Sequence, residues 1–306
     1  RNYAIDEVKY HCIIRENGKV LICEEPMDLI DIEHLKLSKS TLKSLSFKDG
    51  KNEYNFNVSK SVLLKKFKRE AVNIVIALSY YSTSHTKFRH LLTNICGTRY
   101  ASMPLFDKSM LEGAMKVNWQ EMAKRTKNMA QRINKTENIE IKTPNGTHLT
   151  FSKRGRKANA DTGIITQKGA FSNLPAGEAF LSPLEGTANG KLILEWAPTQ
   201  KLKKPITLYV ENGRVTEIQG KDKYADYLKS KLSERAENAN IAELGIGTND
   251  KASRPDNILE SEKILGTIHI ALGDNSSFGG KVSTPFHQDF VFFKPTVTLI
   301  DKNGEK

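Results

Sequence analysis

The chain has 306 residues, 38% of them apolar and 27% charged, which is enough for two globular domains of about 100–200 residues each. No apolar run approaches the roughly 18 residues that a membrane-spanning helix needs, so an integral membrane protein is excluded. The formal charge of +12 raises nucleic acid as a partner. However, the lysines are spread along the chain without a nucleic-acid-binding motif, so we predict a lysine-rich, solvated surface and neither a nucleic-acid nor a membrane partner.

Cysteine usage indicates a reducing compartment. Cys12, Cys23 and Cys96 are widely spaced and form no Cys-x-x-Cys pair, so a disulfide framework is not expected. No secretory leader is recognisable. We expect a cytoplasmic protein, and a fragment of a longer polypeptide, because the last residues fall just after an Asn-Gly turn signal.

Three Asn-Gly pairs lie between apolar or alternating runs, which is the strongest short-range signal of a β-hairpin. They are Asn17-Gly18, Asn145-Gly146 and Asn212-Gly213. Between the first two, residues 72–79 read as a buried strand, 85–94 as a helix and 100–103 as a second strand. This order predicts a parallel β–α–β unit.

Helical signals follow. Asp107 is a predicted helix cap, and Asn118 with Glu121 has the spacing of a capping box. An apolar stripe at helical spacing predicts core packing, and its members are Leu111, Met115, Trp119, Met122, Met129 and Ile133. A second helix is predicted near residues 222–237.

Strands dominate from Glu137 onward. We therefore predict a domain boundary near residue 136. Residues 1–136 would form an N-terminal α/β domain, and residues 137–306 a larger, β-rich α+β domain.

Two histidines stand out in this second domain. His287 and Asp289 would project from the same face of a strand, because positions two apart face the same way. This pair fits either a buried, hydrogen-bonded couple or two metal ligands. His269, between two isoleucines, is by itself typical of a core histidine.

Two carboxylates lie in apolar or glycine-rich surroundings. Glu178 is flanked by apolar residues, and Glu243 precedes a glycine-rich turn. A buried carboxylate needs a partner. If Glu178, Glu243, His269, His287 and Asp289 converge, they make the ligand set of a two-metal hydrolytic site.

The segments around these residues resemble the thermophilic-type metalloaminopeptidases, the aminopeptidase T and aminopeptidase S group. The resemblance covers four ordered segments over roughly 120 residues, and it extends more weakly to residues 82–86 and 99–104. The four segments are 173–183 with 185–190, 242–249 (AELGIGTN), 258–273 (ILESEKILGTIHIALG) and 287–289 (HQD).

The resemblance implies a homodimeric two-domain enzyme that removes N-terminal residues from a peptide substrate. Its metal ligands would be Glu178, Glu243, His269, His287 and Asp289, binding two divalent metal ions (zinc, cobalt or magnesium). Glu243 would also act as the catalytic carboxylate that shuttles a proton to the leaving amine.

Two alternatives remain. The peptidases carry a tyrosine shortly after the third-segment histidine, and residues 270–278 contain none; a non-catalytic relative that binds a peptide or a metal is therefore possible. The stretch 279–289 (GGKVSTPFHQD) also resembles the 2,5-dihydroxypyridine dioxygenases, which use one iron with two histidines and one carboxylate. Those enzymes have a histidine near the position of Glu243, and this difference favours hydrolysis.

Outside the ligand set, Asp274 and Glu185 are candidates for the groups that orient the histidines. Arg254 fits either a substrate contact or a structural ion pair. His148, beside a hairpin turn, is expected to face solvent.

Overall fold

The computed structural model describes residues 71–80, 82–84 and 86–305, and the backbone of four strands nearer the amino terminus; the side chains of residues 87, 88 and 91 are not described. The chain divides into two compact units. The first comprises residues 1–106 and 164–174, and the second comprises residues 107–163 and 175–306.

The elements of the first 106 residues are six strands and one short helix among the described residues. They are β1 (His11–Glu16), β2 (Lys19–Glu24), β3 (Leu45–Asp49), β4 (Asn52–Phe56), β5 (Ile74–Ser79), α1 (Lys87–His90), which continues as the π-helix Leu91–Ile95, and β6 (Arg99–Pro104).

From residue 107 the described chain has three further α-helices and twelve strands. They are α2 (Trp119–Asn134), β7 (Asn138–Lys142), β8 (His148–Ser152), β9 (Asn159–Asp161), β10 (Phe171–Asn173), β11 (Glu178–Leu181), β12 (Asn189–Ala197), β13 (Gln200–Glu211), β14 (Arg214–Gln219), α3 (Lys223–Glu234), β15 (Ile241–Gly247), α4 (Ile258–Ser261), β16 (Thr267–Gly273), β17 (His287–Phe293) and β18 (Thr296–Ile300).

The first unit contains the predicted β–α–β arrangement. β5 and β6 pair in parallel, with α1 and the π-helix between them in the chain, and β10 pairs in parallel with the other side of β6. The prediction that residues 72–79 are buried is wrong. Ile74, Ile76 and Leu78 are each at least half exposed; these alternate residues share one face of β5, and the described residues do not cover that face.

The second unit is built on two antiparallel sheets. One has the strand order β17-β16-β15-β11-β9, and the other the order β14-β13-β12-β8-β7-β18. Alternate residues of both sheets meet in a single hydrophobic core, to which Ile133 of α2 and Leu228 of α3 also contribute. The prediction of a mixed, β-rich α+β architecture is confirmed at this coarse level.

The turn and cap signals are confirmed wherever they fall on described residues. β7 pairs with β8 around Asn145-Gly146, and β13 pairs with β14 around Asn212-Gly213. Both residues of the second turn have positive φ, as a tight two-residue hairpin turn requires. Strands β1 and β2 pair as predicted, but Asn17-Gly18 lies outside the described residues.

The helix caps behave similarly. The side chains of Asp107 and Asn118 each accept a hydrogen bond from a first-turn backbone N–H, in the 3-10 helix Lys108–Leu111 and in α2 respectively. The predicted apolar stripe buries Met122 and Ile133, whereas Leu111 is half exposed. Leu111 lies in the 3-10 helix Lys108–Leu111, so it does not belong to the helical periodicity of α2.

Residue 136, where the sequence analysis draws a domain boundary, lies within the second unit. The reason is that α2 packs on β9 and β11 of that unit. Among the described residues, no helix is long and apolar enough to cross a membrane.

Candidate metal centre

All five predicted site residues lie in the second unit, on four neighbouring strands. Glu178 is on β11, Glu243 on β15, His269 on β16, and His287 and Asp289 on β17. Residues directly adjacent to them in the chain, such as Ala179, Leu244 and Ile270, belong to the core between the sheets. Because side chains alternate along a strand, the five side chains share the opposite face of the sheet.

The strand register explains why they converge. Glu243 and Asp289 both pair with Ala271 of β16, which lies between β15 and β17, one from each side. The small side chain of Ala271 leaves room above it for the two carboxylates. His269 lies two residues earlier on the same face, beside Gly245.

Gly245 is a requirement of the site that sequence reasoning did not identify. A Cβ atom added there would lie 1.9 Å from Cε1 of His269, a distance that real Cβ atoms do not show. The imidazole therefore occupies the space of the missing side chain. The Gly-x-Gly spacing of β15 is visible in the sequence. That Gly245 makes room for His269 follows only from the pairing of β15 with β16, which the sequence does not show.

The ligand atoms face one another at short range. Nε2 of His269 lies 3.5 Å from Oε2 of Glu178, 3.6 Å from Oε1 of Glu243 and 4.0 Å from Oδ1 of Asp289. Nε2 of His287 lies 3.4 Å from Oε2 of Glu243 and 3.5 Å from Oδ1 of Asp289. Glu243, His287 and Asp289 each offer one ligand atom within 4.8 Å of the other two.

His287 is oriented from behind by the backbone. Its Nδ1 lies 2.7 Å from the carbonyl oxygen of Asp274. Because a carbonyl can only accept, Nδ1 carries the proton and Nε2 presents its lone pair to the centre. The orienting group is therefore the carbonyl of Asp274, whereas its carboxylate binds Ser276 and the Thr284 backbone N–H.

Other candidates named from the sequence lie elsewhere. Glu185 accepts hydrogen bonds from Asn275, the Lys281 backbone and Arg156 and so supports the loop that precedes β17. Arg254 forms ion pairs with Asp107 and Asp256, as a structural residue would. His148 is exposed, as predicted, and contacts Glu140.

The pKa directions show a strongly negative centre. Burial would lower the pKa of His269, but Glu243, Glu178 and other carboxylates raise it to about 9. The pKa of His287 is likewise raised, against burial, by Asp289 and Glu243. Burial would raise the pKa of Glu243, but the two imidazoles lower it to about 2. Without another cation, protons on the imidazoles balance the carboxylates.

Two further charged residues adjoin Glu178. Lys263 is fully buried, and its Nζ lies 2.7 Å from Oε1 of Glu178 and 2.8 Å from Oε2 of Glu262. Burial would lower the pKa of Lys263, but the two carboxylates raise it well above its ordinary value. The prediction of solvated lysines is therefore wrong at this position. No pattern in the sequence distinguishes this lysine from the exposed ones, since its burial depends on the fold.

An aromatic surface borders the centre. The ring of Phe278 packs edge-on against His287 with 6.0 Å between centroids, and against Phe180 with 5.8 Å. Phe180 lies on β11 two residues after Glu178 and shares its face of the sheet. One side of the centre is therefore apolar and aromatic.

The donor set fits a divalent transition-metal ion. The separations of 3.4–4.0 Å between the imidazole and carboxylate atoms exceed the roughly 3.2 Å limit of good N–H···O hydrogen bonds. They leave room for an ion about 2.0–2.2 Å from each atom. Oε2 of Glu178 is also buried without a hydrogen-bond partner. Two imidazoles with one or two carboxylates suit iron(II) better than magnesium.

The fold and the site together define a β-rich protein with a histidine–carboxylate cluster suited to a metal ion. Residues 107–303 match the model of the NicX family, described as 2,5-dihydroxypyridine 5,6-dioxygenase. Since this match covers more than half of the chain, the chain belongs to that family.

Two individual proteins are similar to this chain, one in sequence and one in fold. The 2,5-dihydroxypyridine 5,6-dioxygenase of Pseudomonas putida KT2440 is 27% identical over 161 residues, which cover 47% of this chain and 46% of that protein. The match thus spans about half the length of this relative. The solved structure of the 2,5-dihydroxypyridine dioxygenase from Pseudomonas putida KT2440 has a TM-score of 0.64 at 18% identity, covering 83% of this chain and 78% of that chain.

These findings correct the assignment made from the sequence. The family match and the curated relative are dioxygenases, so membership of the aminopeptidase T and aminopeptidase S group, and with it peptide hydrolysis, is wrong. Wild-type AmpT from Thermus thermophilus is a further solved structure with some similarity, with a TM-score of 0.44 at 16% identity, covering 61% of this chain and 54% of that one. A glutamate at position 243 therefore does not exclude membership of the dioxygenase family.

Proposed function

We propose that this chain is a ring-cleaving dioxygenase that uses one iron(II) ion to open a hydroxylated pyridine-type ring. The observation that carries the proposal is the convergence of two imidazole Nε2 atoms and two carboxylates on one face of a sheet. Two histidines and one carboxylate are the ligands that non-haem iron(II) oxygenases use. Membership of the dioxygenase family supports the same chemistry.

Glu243, His287 and Asp289, whose ligand atoms all lie within 4.8 Å of one another, would hold the iron. His269, which faces both carboxylates, would lie beside them. Bound iron(II) would supply the redox chemistry that lets dioxygen react with an aromatic ring. Glu243 and Asp289 would supply the negative charge that balances the metal ion.

The rest of the site prepares the ligands and the substrate surface. The carbonyl of Asp274 holds His287 in the tautomer whose Nε2 is free to bind. Phe180 and Phe278 offer apolar ring surfaces against which a planar aromatic substrate can pack. These surfaces also exclude water from one side of the centre, which strengthens its electrostatic interactions.

The test is oxygen consumption by protein loaded anaerobically with iron(II). With 2,5-dihydroxypyridine we expect uptake of one dioxygen per ring and loss of the aromatic absorbance, and with leucyl anilide no product. His287→Ala should reduce the rate by at least about a hundredfold, because loss of a ligand disrupts the centre. His148→Ala, a change of an exposed histidine on the other sheet, is the matched control and should retain the rate.

Iron-loaded protein that binds its metal but consumes no oxygen with this substrate or its hydroxypyridine isomers would contradict the proposal. Equal activity of the His287→Ala and unchanged proteins would contradict the assignment of the centre.

A further inference from the structure

The buried ion pair beside the proposed iron site has a geometry that bears on how many metal ions the centre can hold. Lys263 has no exposed surface, and its Nζ bridges Glu178 and Glu262 at 2.7 and 2.8 Å. Glu178 in turn faces His269, whose Nε2 lies 3.5 Å from Oε2. The ammonium group is therefore linked to the centre through a single carboxylate.

The backbone is built to deliver Lys263 to this position. The chain at residues 263–264 crosses directly over Gly247 of β15, where an added Cβ would lie 2.0 Å from the carbonyl oxygen of Ile264. The carbonyl of Lys263 accepts a hydrogen bond from the Asn249 backbone N–H at 2.8 Å. Because Gly247 pairs with Glu178 in the sheet, this crossing brings the lysine beside that carboxylate.

Glu178 has a reduced capacity to bind a further cation while it is held in this way. Its Oε1 is engaged by Nζ of Lys263, so only Oε2 is left for a metal ion. A divalent cation near Glu178 would also lie close to a fixed, fully buried positive charge. In a buried site this repulsion is screened far less than at the surface.

We propose that Lys263 stands in for a second divalent cation at Glu178 and so restricts the centre to one metal ion. This inference rests on the proposed single-metal function. The single positive charge of Lys263 offsets that of Glu178, and the two carboxylates that face the histidines, Glu243 and Asp289, match the charge of one divalent ion. The metal number is set by a side chain that does not bind metal.

The experiment is metal binding to the whole chain, measured with Mn²⁺ by calorimetry and by elemental analysis after gel filtration. The unchanged protein should bind one equivalent and give the electron paramagnetic resonance spectrum of isolated Mn²⁺. Lys263→Met removes the charge and should bind about two equivalents, with the exchange-coupled spectrum of a metal pair. Lys153→Met is the control, since Lys153 is another buried lysine of the same unit, and it should still bind one.

A second variant covers the case in which Lys263→Met does not fold. Lys263→Gln keeps a hydrogen-bond donor for Glu178 but carries no charge, and it should also bind about two equivalents. Folded Lys263→Met or Lys263→Gln protein that still binds a single ion overturns the inference and leaves the proposed function intact. Two bound ions in the protein without substitution would overturn both the role of Lys263 and the proposed single-metal function. The absence of any bound metal would overturn the proposed function, and with it the inference that rests on it.

Discussion

At the residue scale, the site depends as much on the smallest side chains as on the ligands. Gly245 and Ala271 leave the volume that the imidazole of His269 and the two carboxylates fill. The five candidate ligands could be singled out from the sequence, because two histidines and three carboxylates in apolar or glycine-rich segments need partners; that they bind metal stays a prediction. The small residues could not, since the requirement for them arises from the neighbouring strand.

Gly245→Ala tests this requirement. The added methyl group would overlap the ring of His269, so the imidazole must move away from Glu243. We expect destabilisation of about 1–3 kcal/mol and a large loss of metal affinity. Thermal unfolding and Mn²⁺ titration measure the two effects.

Gly220→Ala is the comparison. Its added methyl would meet only the side chains of Ile206 and Ala225, at 3.1 Å and beyond, and it lies outside the site. It should keep its metal affinity. Unchanged metal binding in Gly245→Ala would show that His269 does not need this space.

At the element scale, the caps and turns that the sequence predicts are local, and they form where expected. Asp222 begins α3 by accepting a hydrogen bond from the Tyr224 backbone N–H at 2.9 Å. The predicted helix ended near residue 237, but α3 ends at Glu234 and Ala236 lies in a separate 3-10 helix. Helix ends with a side-chain cap are therefore better predicted than ends decided by packing.

Asp222→Ala should remove this cap and lower the free energy of unfolding by about 1 kcal/mol. Asp222→Ser, which can still cap, should recover most of the loss. Because α3 packs Ala225 and Leu228 into the hydrophobic core and contributes no candidate ligand, metal stoichiometry should stay the same in both variants. A loss equal for Ala and Ser would mean that the aspartate acts through something other than capping.

At the scale of the whole molecule, metal binding and protonation compete for the same imidazoles. In the metal-free protein the pKa of His269 is raised from 6.5 to about 9, so protonation favours the folded state. This stability is fully present below about pH 6.5 and is lost as the pH rises through about 9. A bound metal needs neutral imidazole, so its stabilising effect has the opposite dependence.

We therefore expect the melting temperature of chelator-treated protein to fall from pH 6.5 to pH 9, while the gap between Mn²⁺-loaded and metal-free protein widens. At a metal concentration of about 100 times Kd, the stabilisation should reach about 2.7 kcal/mol. Thermal melts across this pH range measure both trends. A gap that stays constant with pH would show that the histidines do not release protons to the metal.

The sequence by itself determined the elements with local causes: the Asn-Gly hairpins, the helix caps and the β–α–β order. It also indicated the histidines and carboxylates of the centre, because their types and surroundings called for partners. It did not decide between the two groups that the chain resembles, since both have similar segments, and the family match assigned the chain to the NicX family. Only the tertiary structure showed Lys263 beside Glu178 and the space above Gly245. Burial and cross-strand pairing join residues far apart in the chain, and no local pattern records them.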